Sequence, residues 1–139
     1  MRYFKFAAIL AAVLAFGTLM AETKTFRDGQ GRTVGTVTIE GNRATYRDSQ
    51  GRVTMTSYRD GNRVTFRDSQ GRIIGTSEAG NGGRVTFRDS QGRTVGTATG
   101  SGSQVVFRDG QGRTVGTATN SGGGTTFRDS QGRTTGTRR

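Results

Sequence analysis

The side chains able to do chemistry in this chain are almost all arginine and aspartate, and they recur at a fixed spacing. Arg-Asp, then Ser or Gly, then Gln-Gly-Arg stands at 27–32, 47–52, 67–72, 88–93, 108–113 and 128–133. Each copy sets one carboxylate four residues ahead of a guanidinium. Rows of guanidinium groups suit multivalent recognition of anions, because each donates several charge-assisted hydrogen bonds in a planar fork. The candidate polyanion-binding residues are Arg27, Arg47, Arg67, Arg88, Arg108 and Arg128, with Arg32, Arg52, Arg72, Arg93, Arg113 and Arg133 following the turns. A plainer reading pairs each Arg with a nearby Asp and uses the charge to keep β-edges from aggregating. Seven Asp cannot neutralise the eighteen Arg of residues 22–139.

Other chemistry lacks its residues. There is no His and no Cys, so neither a base poised near neutral pH nor a transition-metal ligand set is at hand. Each Asp sits beside an Arg that holds it ionised, the wrong direction for a general acid. One Asp per copy, followed by Arg, is a poor match to a calcium loop. The expectation is a protein that is not an enzyme and carries no cofactor and no metal.

The elements that must position these arginines follow from the repeat. An aromatic precedes each copy at Phe26, Tyr46, Phe66, Phe87, Phe107 and Phe127, at intervals of 20, 20, 21, 20 and 20 residues. Around Phe87, Val85 and Phe87 alternate with Thr86 and Arg88, the period of a half-buried strand. The following Asp89-Ser90-Gln91-Gly92-Arg93 reads as a hairpin connection in which Gly92 takes a positive φ. Gly31, Gly51, Gly71, Gly112 and Gly132 are its equivalents and complete the set of structural turn glycines. Pairing outward from that turn sets Arg88 opposite Thr94, Phe87 opposite Val95 and Val85 opposite Thr97. Rings and valines then share one face, while Arg88, Thr86, Thr94 and Gly96 take the other. Gly-, Asn- and Ser-rich links at 80–83, 100–103 and 120–124 read as return turns. Tyr58 to Arg63 is a compressed strand with a two-residue Gly-Asn turn. Nothing recurs at helical spacing.

The fold class expected is therefore all-β, in tandem β-hairpin repeats of about 20 residues. A meander forming a single-layer twisted sheet is the leading architecture, with a β-solenoid of one coil per repeat as the alternative and disorder as the third. Only 20 large apolar side chains occur in residues 22–139, too few for an ordinary globular core, so the chain needs repetition, assembly or a partner.

At Asp-x-x-Gly-Arg the units resemble the YD repeats of bacterial RHS-type secreted proteins, whose units are of similar length. The aromatic here lies one place further upstream, with Arg47, Arg67 and Arg88 in its usual position. The resemblance implies a secreted or surface β-repeat. The unit length and Gln-Gly turns also look like those of curli-type fibre subunits.

Residues 1–21 have the layout of a signal peptide, expected as a helix: Arg2 and Lys5, an apolar run from Phe6 to Phe16, and a small residue, Ala21, before Glu22. The run is shorter than the roughly 20 residues a spanning helix needs, so no stable membrane span is expected after cleavage. Residues 22–139 form the six-unit repeat domain, with nineteen basic and ten acidic residues and a net charge of +9. These readings add up to a non-catalytic structural or adhesive protein, secreted, periplasmic or at the cell surface, with an arginine-lined β-surface. Two alternatives stand beside it: a subunit of an extracellular β-fibre that self-associates through its edges, and a binder of anionic polysaccharide, lipopolysaccharide or extracellular DNA.

Overall fold

Alternation of apolar and polar residues on either side of each Gln-Gly turn produces twelve short strands. The computed structural model describes residues 22–139, and the signal segment expected at 1–21 lies outside them. The strands are β1 (Glu22–Asp28), β2 (Thr33–Glu40), β3 (Arg43–Asp48), β4 (Val53–Asp60), β5 (Arg63–Asp68) and β6 (Ile73–Ala79), then β7 (Arg84–Asp89), β8 (Thr94–Ser101), β9 (Gln104–Asp109), β10 (Thr114–Ser121), β11 (Gly124–Asp129) and β12 (Thr134–Arg138). Each pairs antiparallel with its sequence neighbours, and β1 pairs with β12, so the sheet closes into a barrel. The chain is an all-β protein of hairpin-like strands.

Closure corrects the open meander, and antiparallel pairing throughout replaces the solenoid, whose stacked coils would run parallel. The reason lies in the register. Phe26 pairs with Gly35, and Gly35 with Asp48, two residues beyond the equivalent aromatic Tyr46. The same step carries Tyr46 through Met55 to Asp68, and Phe127 through Gly136 back to Asp28. A stagger of two residues for every two strands inclines the strands by about 35°, within the range that lets a sheet close.

A β-bulge in every unit supports this register, and it corrects the expected pairing. Arg88 does face Thr94, but Phe87 faces Gly96 and Val85 faces Ala98, because Val95 is an extra residue on its strand. Two residues then oppose one, which strengthens the local twist. Gly96, expected outside, points inward, and Thr97 pairs with Thr86 outside. A Cβ on Gly96 would lie 2.6 Å from the Arg108 carbonyl oxygen of the next unit, so the glycine lets neighbouring strands approach. Thr54 and Thr135 occupy the bulge in their units and donate their hydroxyls to the carbonyls of Tyr46 and Phe127 at 3.3 Å.

The interior is the core that composition alone seemed too poor to build. Tyr46, Phe66, Phe87, Phe107 and Phe127 are buried with Val37, Ile39, Val64, Val85 and Val105, and Phe26, Ile74, Val95 and Val115 pack against them. Small residues, Ala44, Ala98 and Ala118 among them, fill the space between. Repetition solves the shortage by pointing every unit's few apolar groups to one lumen. The outer wall is mostly threonine and arginine, and Val34, Val53, Tyr58 and Ile73 are the large apolar side chains left exposed among the described residues. No described helix is long and apolar enough to cross a membrane.

The 21-residue interval is absorbed outside the strands. Between β6 and β7 the link includes a short 3-10 turn at Asn81–Gly83, and the two-residue stagger is kept: Phe66 pairs with Gly75, and Gly75 with Asp89.

Candidate functional surface

All six Gln-Gly turns fall on one rim of the barrel, because each unit repeats the same step around the wall. Within a turn, the Asp carboxylate organises the backbone. In the fourth unit Asp89 Oδ1 accepts from the N–H groups of Gln91 and Arg93 at 2.9 and 3.0 Å, and Oδ2 accepts from Arg93 Nε at 2.8 Å. Gly92 has φ +82°, as the turn requires. Its equivalents Gly31, Gly51, Gly71, Gly112 and Gly132 lie between +81° and +83°. The ion pair recurs as Asp28–Arg32, Asp48–Arg52, Asp68–Arg72, Asp109–Arg113 and Asp129–Arg133, at 2.7–2.9 Å.

These contacts hold the carboxyls below the usual carboxylate range. For Asp28, Asp48 and Asp129 the main cause is the backbone N–H of Arg32, Arg52 or Arg133, with the guanidinium adding to it. For Asp68, Asp89 and Asp109 partial desolvation is the largest single influence and pushes upward. The N–H, guanidinium and charge of the paired arginine, together with the N–H of Gln70, Gln91 or Gln111, outweigh it.

The second arginine series is placed differently. Arg27, Arg47, Arg67, Arg88, Arg108 and Arg128 stand on the outer wall beside the turns, on the face opposite the aromatics. Arg27 and Arg67 donate to the carbonyls of Gly31 and Gly71 at 3.1 and 3.2 Å. Among the described residues, Arg88 is the one member of this series within ion-pair distance of a carboxylate, Glu78 at 3.4 Å. One rim therefore carries twelve arginines and six aspartates, with the aspartates spent on the post-turn arginines. Equivalent arginines in adjacent units are about 12 Å apart along the wall, from two strand widths and the two-residue stagger. Such a rim can offer many weakly compensated donors to a large anion at once. No group of three or more His, Cys, Asp or Glu able to hold a metal occurs among the described residues.

Closure also gathers residues that sequence reasoning passed over. Lys24 and Thr125 stand where the middle units have Val64, Val85 and Val105, and Arg138 stands where they have Ala98 and Ala118. All three lie on the adjacent strands β11, β12 and β1. Arg138 is buried and donates from Nη2 to Thr125 Oγ1 at 2.9 Å, and Thr125 donates to Asn120 Oδ1 at 2.6 Å. Lys24 Nζ meets Glu22 Oε1 at 2.5 Å. Burial lowers the pKa of the Arg138 guanidinium, and the charge of Glu22 opposes that. The signal for this cluster was its departure from the repeat, but only closure shows that the departures meet.

No protein-family model matches the chain, and comparison with curated proteins and with solved structures returns no significant match. Fold and surface define a closed antiparallel barrel of six hairpin units with an arginine-bearing rim.

Proposed function

We propose that this is a non-catalytic adhesive protein of the cell exterior or periplasm, which attaches through its turn rim to polyanionic material. Acidic polysaccharide, lipopolysaccharide phosphate and extracellular DNA share the required chemistry. The observation that carries this reading is the twofold excess of arginine over aspartate on one rim. The aspartates are committed to shaping turns, which leaves the outer-wall series to meet a ligand. The YD-repeat resemblance at Asp-x-x-Gly-Arg belongs to the same reading, that of a secreted or surface repeat protein.

Titration with heparin and with DNA at two salt concentrations tests it. Binding by this rim weakens steeply as salt rises, through release of counterions from the polyanion. Replacing Arg47, Arg108 and Arg128 by Gln together flattens that salt dependence while the barrel spectrum is kept. Absence of binding at low salt refutes the proposal. The fibre alternative draws on the six near-identical units and their Gln-Gly turns. Filaments in electron micrographs of the purified protein would favour it over a single-barrel adhesin.

A further inference from the structure

Three of the four large apolar side chains left exposed among the described residues fall together at the turn rim, in consecutive units. Val34, Val53 and Ile73 are 51%, 39% and 46% exposed, while the fourth, Tyr58, lies farther along β4 opposite Arg43. Val53 and Ile73 directly follow Arg52 and Arg72 and stand opposite Arg47 and Arg67 on the outer wall. The other four units have threonine at that place: Thr33, Thr94, Thr114 and Thr134. Val34 occupies the bulge of the first unit and stays open to solvent, whereas Ile74, Val95 and Val115 at the same place pack against the core. With units about 12 Å apart, the three form an arc of roughly 25 Å through the arginine rim.

We propose that this arc seats the barrel on the surface of an anionic lipid bilayer, an inference that rests on the turn rim being the anion-binding surface. The polyanion is then a layer of lipid phosphates. A hydrated polysaccharide or nucleic-acid backbone leaves aliphatic side chains largely in water, whereas the boundary between head groups and acyl chains takes them out of it. Basic and aliphatic groups side by side therefore suit an anionic bilayer better than a soluble chain. Arg27, Arg47 and Arg67 have no carboxylate within ion-pair distance among the described residues, and Arg32, Arg52 and Arg72 stay 73–75% exposed beside their aspartates. Arginine stems can lie along the aliphatic groups while the guanidinium groups reach phosphates. The charge distribution sets the direction of approach. At their far ends β2 and β4 carry Glu40 and Asp60 opposite Arg43 and Arg63, where β8 and β10 have Ser101 and Ser121. Charge in these units is thus offset at the far end and in excess at the turn end, so an anionic surface draws the turn rim towards it. Three side chains on one side of the ring make an interfacial contact and not a spanning band.

The full-length chain, purified as the host releases it, is sedimented with vesicles of phosphatidylcholine, alone or mixed with phosphatidylglycerol, and is titrated with heparin in parallel. Mixed vesicles should take up the chain more strongly than neutral ones, and less as salt rises. Val34→Thr, Val53→Thr and Ile73→Thr together lower partition onto mixed vesicles by about tenfold or more and leave heparin affinity unchanged. The barrel accommodates these changes, since Thr54 and Thr135 already fill the bulge, and Thr94 and Thr114 the outward place, in their own units. Thr94→Ile with Thr114→Ile continues the arc into the fourth and fifth units and raises partition. Heparin binding with no preference for mixed over neutral vesicles overturns the proposal and returns the rim to a soluble polyanion. Partition unchanged in the threonine variant or in the isoleucine variant, or heparin affinity that falls along with vesicle binding, also overturns it. A chain that binds neither heparin nor vesicles refutes the adhesive function together with this inference.

Discussion

Replacing Gly92 by alanine isolates what the turn conformation is worth. Gly92 has φ +82°, and a Cβ built there meets nothing within 4 Å, so no steric clash contributes. What remains is the backbone cost of an L side chain in the left-handed region, roughly 1–2 kcal/mol. An unfolding entropy of about 2.1 cal/mol/K per residue over the described chain gives about 0.25 kcal/mol/K, so Tm falls by about 4–8 °C. Gly92→Asn, which tolerates that region better, loses less. Gly31 lies three units away, half the ring, so Gly31→Ala with Gly92→Ala doubles the loss. Thermal melts followed by far-UV circular dichroism read all four proteins. An alanine variant that melts at or above the parent, or an asparagine variant that falls as far as alanine, refutes the turn assignment.

Three further outcomes follow from the core and the titrating groups. Phe66→Ala, at a fully buried ring, costs about 3–5 kcal/mol, whereas Tyr58→Ala, 57% exposed on the outer wall, stays within about 0.5 kcal/mol in a denaturant titration. The six turn aspartates are depressed in the folded chain, so their contribution is present above the ordinary carboxylate pKa and is lost as pH falls through the lower folded values. Melting temperature measured against pH should therefore drop on the acid side of about pH 4, and a flat profile there contradicts the carboxylate-shaped turns. Burial pushes the Tyr46 hydroxyl up to about 12 against a hydrogen bond with Ser57. Because the unfolded phenol ionises first, stability falls as pH rises from about 10 towards the folded value. Ultraviolet phenolate absorbance should show one tyrosine delayed until about that pH, and Tyr46→Phe should remove the late step.

Much of a single unit could be read from its residues. The turn glycine, the carboxylate beside it, and the inward ring with an outward arginine all follow from the run Val85 to Arg93, because strand alternation leaves little choice. The bulge was harder. Thr94-Val95-Gly96-Thr97 reads as plain alternation until the glycine is recognised as the point where the next strand's carbonyl comes close. One extra residue there moves Gly96 and Ala98 inside. Closure lay further out of reach, since it depends on stagger accumulating over all six units, and no single hairpin reveals that sum. For the same reason Lys24 and Arg138, more than a hundred residues apart, gave no sign of being neighbours.

The constant two-residue step has a consequence for how such a protein changes size. Stagger and strand number grow together as whole hairpins are added, so the slope of the wall is the same whatever the number of units. Duplicating one hairpin would enlarge the circumference by about 12 Å and the bore by about 4 Å, while every hairpin kept its own turn, bulge and side-chain orientation. Width is thereby separated from local conformation, and the gene can alter the diameter of the tube by copying a segment without redesigning one.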